Sequence, residues 1–353
     1  MYLKNNTYEK PIDIMFIIII SMSCSLITLH AEEESSNQDD EEHGYEITNW
    51  LFLAATVEFE QGQERQTASD RTKTKNNEFS KSLDVELLFK ASVNLRSEIA
   101  LEFDDENGHF LIDEAIVILE LDKTEIELGK TTLPFGEYSS KFINDSPINF
   151  AERKTKGVII THDLKDDTEL SFFAYKNDTT KFHTSHNAIT WGLTSSFTPS
   201  ESLNFGIGYT SDLNDSEGIE VDADNNTEKR VDGISAFSLH KFSDFEFSTE
   251  LTSALDDFQE LEKDRNRPIA WNLELAHKLS NNFDWALRFA GSRELKDEPF
   301  RQYGISGSWQ INKKMTLSLE YLENNFINDL AENIQERPLK KSKEIAAQLS
   351  ISF

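Results

Sequence analysis

Three groups of side chains in this sequence have the types and spacing that reactive or metal-binding sites use. They are the adjacent pair His162 and Asp163, the pair His183 and His186, and residues 222–226, where carboxylate and amide oxygens alternate. Such groups serve as catalytic dyads, transition-metal ligands and calcium loops respectively.

None of these groups is complete. Neighbouring residues on a strand point to opposite faces, so His162 and Asp163 cannot form a dyad through sequence proximity. The two loop histidines have no cysteine or third histidine nearby, and Thr227 stands where a calcium loop needs glycine. The sequence therefore predicts no catalytic residue, no metal site and no cofactor.

A basic cluster in an acidic chain is a better candidate for function. The chain has 35 Lys+Arg against 64 Asp+Glu, a net charge of -29, which makes nucleic acid an unsuitable partner. A basic patch beside a pore would attract anionic solutes, although the last two members also fit solvated positions at the start of a strand. The cluster consists of Lys130, Lys141, Arg153, Lys154 and Lys156.

The elements that must position this cluster are β-strands. Apolar residues recur at every second position in about sixteen segments, from residues 51–59 to residues 345–353. Short polar connections alternate with long ones such as residues 61–80, which we expect to be an extracellular loop. Because only half of each strand is apolar, the mean hydropathy is -0.52, low for a membrane protein and typical of a barrel.

The carboxyl end predicts how the strands close. The last strand alternates apolar and polar residues and ends on Phe353, so it must pair with the first strand and face lipid. We interpret Phe353 as the signal for the barrel assembly machinery. A soluble sandwich is the alternative, but aromatic residues at strand ends, including Trp50, Tyr175 and Tyr209, favour membrane interfaces. The predicted fold is an all-β, transmembrane antiparallel β-barrel of the bacterial outer membrane.

The amino end predicts export. Lysines precede an apolar stretch at residues 14–29 that is followed by a small-residue cleavage site. An uncleaved anchor and lipidation at Cys24 fit this pattern less well. The predicted leader is too short to plug a lumen, which argues against TonB-type active transport. We predict a signal peptide at 1–31, an acidic periplasmic leader at 32–48 and the barrel at 49–353.

Residues 131–156 interrupt the strand rhythm. Two prolines exclude a central strand here, and the large apolar residues must be buried. We expect this stretch to fold into the lumen and narrow the channel, with a compact external loop as the alternative. The candidate constriction and selectivity residues are Lys130, Pro134, Phe135, Gly136, Lys141, Asp145, Glu152, Arg153 and Lys154.

The same stretch carries a motif. Glu127-Leu-Gly-Lys130 is followed by Leu133-Pro-Phe-Gly136, then by Asp145-Ser-Pro147 and Glu152-Arg153. This series resembles the LbtU family of siderophore porins. The Pro-Phe-Gly element is also similar to that of phosphate-selective and general trimeric porins.

The resemblance implies an outer-membrane porin without enzymatic activity that gives small solutes passive, moderately selective passage. A ferric siderophore is the solute it suggests, and a general or phosphate-type anion diffusion porin is the alternative. A surface barrel enzyme or an adhesin is the alternative outside this class. The expected partners are outer-membrane lipid, lipopolysaccharide, the barrel assembly machinery and a small-molecule solute, and a homotrimer is left open.

Overall fold

The computed structural model of the chain is an antiparallel β-barrel. The described residues are 45–48, 50–104, 109–165, 167–176, 189–214, 216, 219, 230–258, 266–327, 330–333 and 335–353. The predicted signal peptide, Cys24 and most of the predicted leader lie outside them. No helix in these ranges is long and apolar enough to cross a membrane.

The described residues form one short strand followed by sixteen barrel strands. The short strand β1 is Tyr45–Thr48, and a 3-10 helix, Pro147–Ala151, lies between β6 and β7. The barrel strands are β2 Leu51–Ala68, β3 Lys73–Ser92, β4 Leu95–Asp104, β5 His109–Leu121, β6 Thr124–Thr132, β7 Lys154–Lys165, β8 Thr168–Lys176, β9 Ile189–Ser200, β10 Leu203–Thr210, β11 Gly233–Phe242, β12 Phe245–Ala254, β13 Ile269–Ser280, β14 Phe283–Arg293, β15 Arg301–Asn312, β16 Met315–Asn325 and β17 Leu339–Ser352.

The last strand closes the barrel on the first barrel strand. β17 pairs with β2 from Leu339 opposite Ala68 to Ser352 opposite Thr56. The Phe353 amide donates to Ala55 O at 2.8 Å. Beyond that point β1 takes over the same edge of β2, so β1 and β17 together cover it. The predicted closed barrel of sixteen strands is confirmed, and each strand from β2 to β17 pairs with a neighbour on both sides.

Alternation along the strands separates a lipid face from a lumen face. On β12 to β17, Leu251, Leu287, Ile305, Leu319 and Ile345 are exposed large apolar residues, while the residues between them point inward. Because the closed sheet pairs the strand backbones with one another, this belt can face hydrocarbon.

Aromatic residues gather at both ends of the outer face. Near the short connections, Phe245 lies 5.4 Å from Phe242 and 4.2 Å from His277, measured between ring centroids. Near the long connections, Trp191 lies 5.4 Å from Tyr209. Tyr175, expected in this girdle, instead points inward and is buried, since it shares the strand face of Phe173.

The connections at the two ends of the barrel differ in length. Seven are two residues long, including residues 281–282, and the others are longer, as expected for periplasmic turns and extracellular loops. The prediction of a long loop at residues 61–80 is wrong in its bounds. β2 runs to Ala68 and β3 begins at Lys73, because the strands continue past the apolar band, where both faces become polar.

We expect the turn after Ala68 to be outside the cell. An epitope tag inserted after Arg71 should be reached by antibody on intact cells. A tag between Asn281 and Asn282 should be reached only after the outer membrane is permeabilised. The reverse labelling pattern would contradict this orientation.

We also expect Phe353 to matter for assembly, because its amide bonds to β2 at the closing seam. Deleting Phe353 should leave export intact and strongly reduce the amount of heat-modifiable barrel in the outer membrane. Replacing the exposed Val93 with alanine serves as a control, because it leaves the two-residue β3–β4 turn intact. Equal amounts of folded barrel for both variants would exclude a special role for the terminal residue.

Candidate functional site

The candidate site is the inner loop, residues 133–153, which connects β6 to β7 and folds into the lumen. The predicted inward fold of this stretch is confirmed, because its residues contact inward-facing side chains of β9 to β16. Its apolar residues form a core inside the barrel with residues of the wall and of other loops. This core includes Leu133, Phe135, Ile148, Phe150, Phe173, Tyr175, Leu213 and Phe258.

Small wall residues make room for the inner loop. A side chain at Gly208 on β10 would collide with the carbonyl oxygen of Phe135. The same carbonyl accepts a hydrogen bond from Ser235, and the carbonyl of Pro134 accepts one from Thr194. The loop backbone therefore lies directly on the wall, and only small residues allow so close an approach.

Three inward-facing glutamates bind the backbone of the loop. Glu250 on β12 accepts from the Glu137 and Tyr138 amides at 2.9 and 3.0 Å. Each carboxylate oxygen of Glu250 therefore accepts a hydrogen bond from one of two consecutive amides, as at a helix N-terminus. Burial beside Glu250 also raises the pKa of the Tyr138 hydroxyl well above its usual value.

The other two glutamates continue the pattern along the loop. Glu274 on β13 accepts from the Ser140 hydroxyl at 2.8 Å and from the Lys141 amide at 3.0 Å. Glu320 on β16 accepts from the Ile143 amide at 2.7 Å and from the Asn144 amide at 3.3 Å. The segment 137–144 is thus attached to three separate strands.

Arg288 on β14 is the basic member of this network. Its Nε donates to Glu274 at 2.9 Å, and its Nη1 donates to the carbonyl oxygens of Asn144 at 2.8 Å and Asp145 at 3.1 Å. Its guanidinium lies 4.1 Å from the ring centroid of Phe142. Since Arg288 is 3% exposed, removing it would leave the Glu274 carboxylate buried without its cation.

The predicted residues Pro134, Phe135 and Gly136 lie in the part of the loop that packs on the wall. Phe135 is buried, and Pro134 and Phe135 bind the wall through their carbonyl oxygens. A side chain at Gly136 would collide with Glu250 and Tyr138. These residues place the loop and do not line open space.

Lys141, Asp145 and Glu152 are more accessible. Lys141 is exposed, and its Nζ lies 3.5 Å from Glu246 on β12. Asp145 is exposed, and Glu152 is half-buried and accepts from the Asn149 amide group at 2.9 Å. Among the predicted basic residues, Lys141 is the exposed one on the inner loop.

The structure does not bring the remaining basic residues to Lys141. Arg153 is buried, with its guanidinium 4.4 Å from the ring centroid of Tyr175. Lys130 and Lys156 are opposite each other on β6 and β7, and alternation places both on the outward face with Leu128. Alternation places Lys154 on the same face as Lys156, and its Nζ lies 2.6 Å from Asp113 Oδ1. The basic cluster is therefore dispersed in space.

The wall that the inner loop leaves uncovered is acidic. Arg96 on the same wall forms ion pairs with Glu98 at 3.0 Å and with Glu125 at 3.1 Å. Lys90 lies opposite Arg96 on the same inward face. The register of β2 to β6 places the following carboxylates on the inward face: Glu58, Glu60, Asp84, Glu86, Glu98, Glu102, Glu125 and Glu127.

Sequence reasoning missed Glu250, Glu274, Arg288 and Glu320. A signal for them exists, because each is a long charged residue on the inward face of a strand whose other inward residues are mostly small. Of the reactive groups first considered, His162 bonds to Thr124 at 2.8 Å and shares no face with Asp163. His183, His186 and residues 222–226 lie outside the described residues.

Comparison with solved structures shows which known fold this barrel has. Three similar structures are an anion-selective porin from Comamonas acidovorans, the outer-membrane channel DcaP of Acinetobacter baumannii, and OmpF of Salmonella typhi in complex with daunomycin. Their TM-scores are 0.62, 0.63 and 0.63, at 12%, 13% and 12% identity. The aligned regions cover 86%, 88% and 86% of this chain and 99%, 100% and 98% of those chains.

The fold is therefore that of bacterial outer-membrane porins. No protein-family model matches the sequence, and no curated protein matches it. The resemblance to the LbtU family is not confirmed by these comparisons, and none of them supports siderophore specificity.

We expect Arg288→Met to release segment 137–144 from the wall. The lost contacts and the buried Glu274 charge should cost about 3 kcal/mol, so amide hydrogen exchange in this segment should become about 100-fold faster. The matched control is Arg301→Met, because Arg301 is exposed and lies over the Phe300 ring. If exchange in segment 137–144 is the same in both variants, Arg288 does not hold the loop.

Proposed function

We propose that this protein is an outer-membrane porin that gives small, water-soluble solutes passive passage and prefers cations. The observation that carries the proposal is the lining of the lumen. The inner loop, bound to β9 to β16, faces the acidic wall of β2 to β6. Carboxylates along a narrow aqueous path attract cations and repel anions.

The fold supports passive passage in this proposal. The outer face carries an apolar belt with aromatic ends, the inner face is polar, and the solved structures it resembles are porins and channels. The inner loop reduces the open cross-section without forming a separate plug domain. Its attachment to three strands keeps the narrowing in place while solutes pass.

Anion passage is the second candidate function. Lys141 is exposed on the loop, and one similar structure is an anion-selective porin. Against this candidate, Arg153 is buried and Lys130 lies on the outward face. The narrower assignment to ferric siderophores rests on the sequence resemblance alone.

Ion selectivity separates these candidates. In a planar bilayer with a potassium chloride gradient, we expect a reversal potential that corresponds to a K⁺ to Cl⁻ permeability ratio above about 2. Lys141→Glu should raise that ratio, because its charge lies within about one Debye length of passing ions. Lys130→Glu makes the same charge change on the outward face and should leave the ratio nearly unchanged. A reversal potential of the opposite sign would favour anion passage.

A further inference from the structure

A polar cavity lies between the inner loop and the extracellular end of the barrel. Its volume is about 290 Å³, the size of a site for a small molecule. It is bounded by the loop at Asn144 and Asp145, by the β14–β15 connection at residues 297–299, and by the ends of β2, β16 and β17. The cavity therefore lies between the long connections and the segment that Glu320 and Arg288 hold.

The cavity is lined by acidic groups. Among the described residues at its surface there is no lysine, arginine or histidine. Arg288 lies near the cavity, but its guanidinium donates its hydrogen bonds to Glu274 and to the loop carbonyl oxygens. The carboxylates that line the cavity are those of Glu64, Asp145, Asp297, Glu298, Glu332 and Glu344.

A second observation is a buried hydrogen-bond acceptor at the surface of the cavity. Asn324 on β16 lines the cavity and is 4% exposed. Its amide nitrogen donates to Ser342 at 3.1 Å and to Glu344 at 2.6 Å. Its carbonyl oxygen, Oδ1, has no hydrogen-bond partner among the described residues. A buried acceptor without a donor is costly, and a ligand that donates hydrogen bonds would satisfy it.

Glu298 is a cavity carboxylate with acidic neighbours. Burial raises its pKa to about 7, and the carboxylates of Asp145, Asp297 and Glu344 contribute in the same direction. A cation in the cavity would reverse this effect by stabilising the ionised form.

We propose that the cavity is a binding site for a small organic cation that carries an ammonium or guanidinium group, on its way into the channel. Such a group offers several N–H donors and a positive charge, which match Asn324 Oδ1 and the surrounding carboxylates. A bare metal ion fits less well, because the described residues contain no group of three or more ligand side chains placed to hold one. This inference rests on the proposed passive channel and names the solute class it takes.

Agmatine, which carries one ammonium and one guanidinium group, is a suitable probe. In single-channel recordings of the purified full-length barrel at about pH 8, millimolar agmatine added on the extracellular side should cause brief current blocks. An uncharged sugar of similar size should cause none. Glu298→Gln should weaken the block by about tenfold, and Glu298→Gln with Glu344→Gln should weaken it further.

The matched control is Glu86→Gln with Glu102→Gln, which removes two inward-facing carboxylates that do not line the cavity. Because these carboxylates attract cations into the lumen without lining the cavity, this control should weaken the block clearly less than the cavity variants do. Because Glu298 gains a proton as the pH falls through about 7, the wild-type block should weaken between about pH 8 and pH 6, and the Glu298→Gln block should change less.

The possible outcomes separate this site from the channel itself. Open-channel conductance without any agmatine block would overturn the site and leave the porin proposal intact, whereas absence of conductance would overturn both. A block that is equally weakened by the cavity variants and by the control variants would show a general effect of lumen charge and overturn the site. Block by calcium but not by agmatine, with the same dependence on Glu298, would replace the organic cation with a metal ion.

Discussion

The structure depends on the hydrogen bonds that pair the backbone of an irregular segment inside the barrel. Each amide of the inner loop needs an acceptor where water access is restricted. Glu250, Glu274 and Glu320 supply acceptors in pairs, and Arg288 supplies donors to the carbonyl oxygens that follow. The buried carboxylates and the loop amides are therefore stable only together, because each would otherwise be a buried polar group without a partner.

This arrangement divides the lumen wall into two parts. On β9 to β16, glycine, serine and alanine at inward positions allow the loop to lie close to the sheet, and the charged residues among them bind it. On β2 to β6, long carboxylates extend into space that the loop leaves open. The two parts have different functions in this account, since one positions the narrowing and the other provides the field that solutes meet.

The sequence predicts the barrel well because alternation is a local property. The strand periodicity indicates sixteen strands, their order and the break at residues 131–156, and the structure agrees. Alternation from Leu128 would also have placed Lys130 on the outward face. The length of β2 and β3 was harder to predict, since a strand that leaves the membrane loses its apolar face.

The arrangement within the inner loop could not be predicted in the same way. The burial of Arg153 against Tyr175 and the exposure of Lys141 depend on contacts with strands more than twenty residues away, and no local period reports them. Proximity in sequence made these residues look like one basic patch. Their separation in space follows from the wall, where Glu274 takes the Lys141 amide while Arg153 enters the apolar core.

Polymer exclusion tests the central claim most directly. Neutral polyethylene glycols of increasing size reduce single-channel conductance until they no longer enter the pore, and this limit measures the narrowest part. If Glu250, Glu274 and Glu320 hold the loop across the lumen, replacing all three with glutamine should let distinctly larger polymers enter while the barrel remains heat-modifiable. The same exclusion limit for the wild-type and triple-variant barrels would contradict the account, because the loop would then keep its position without these carboxylates.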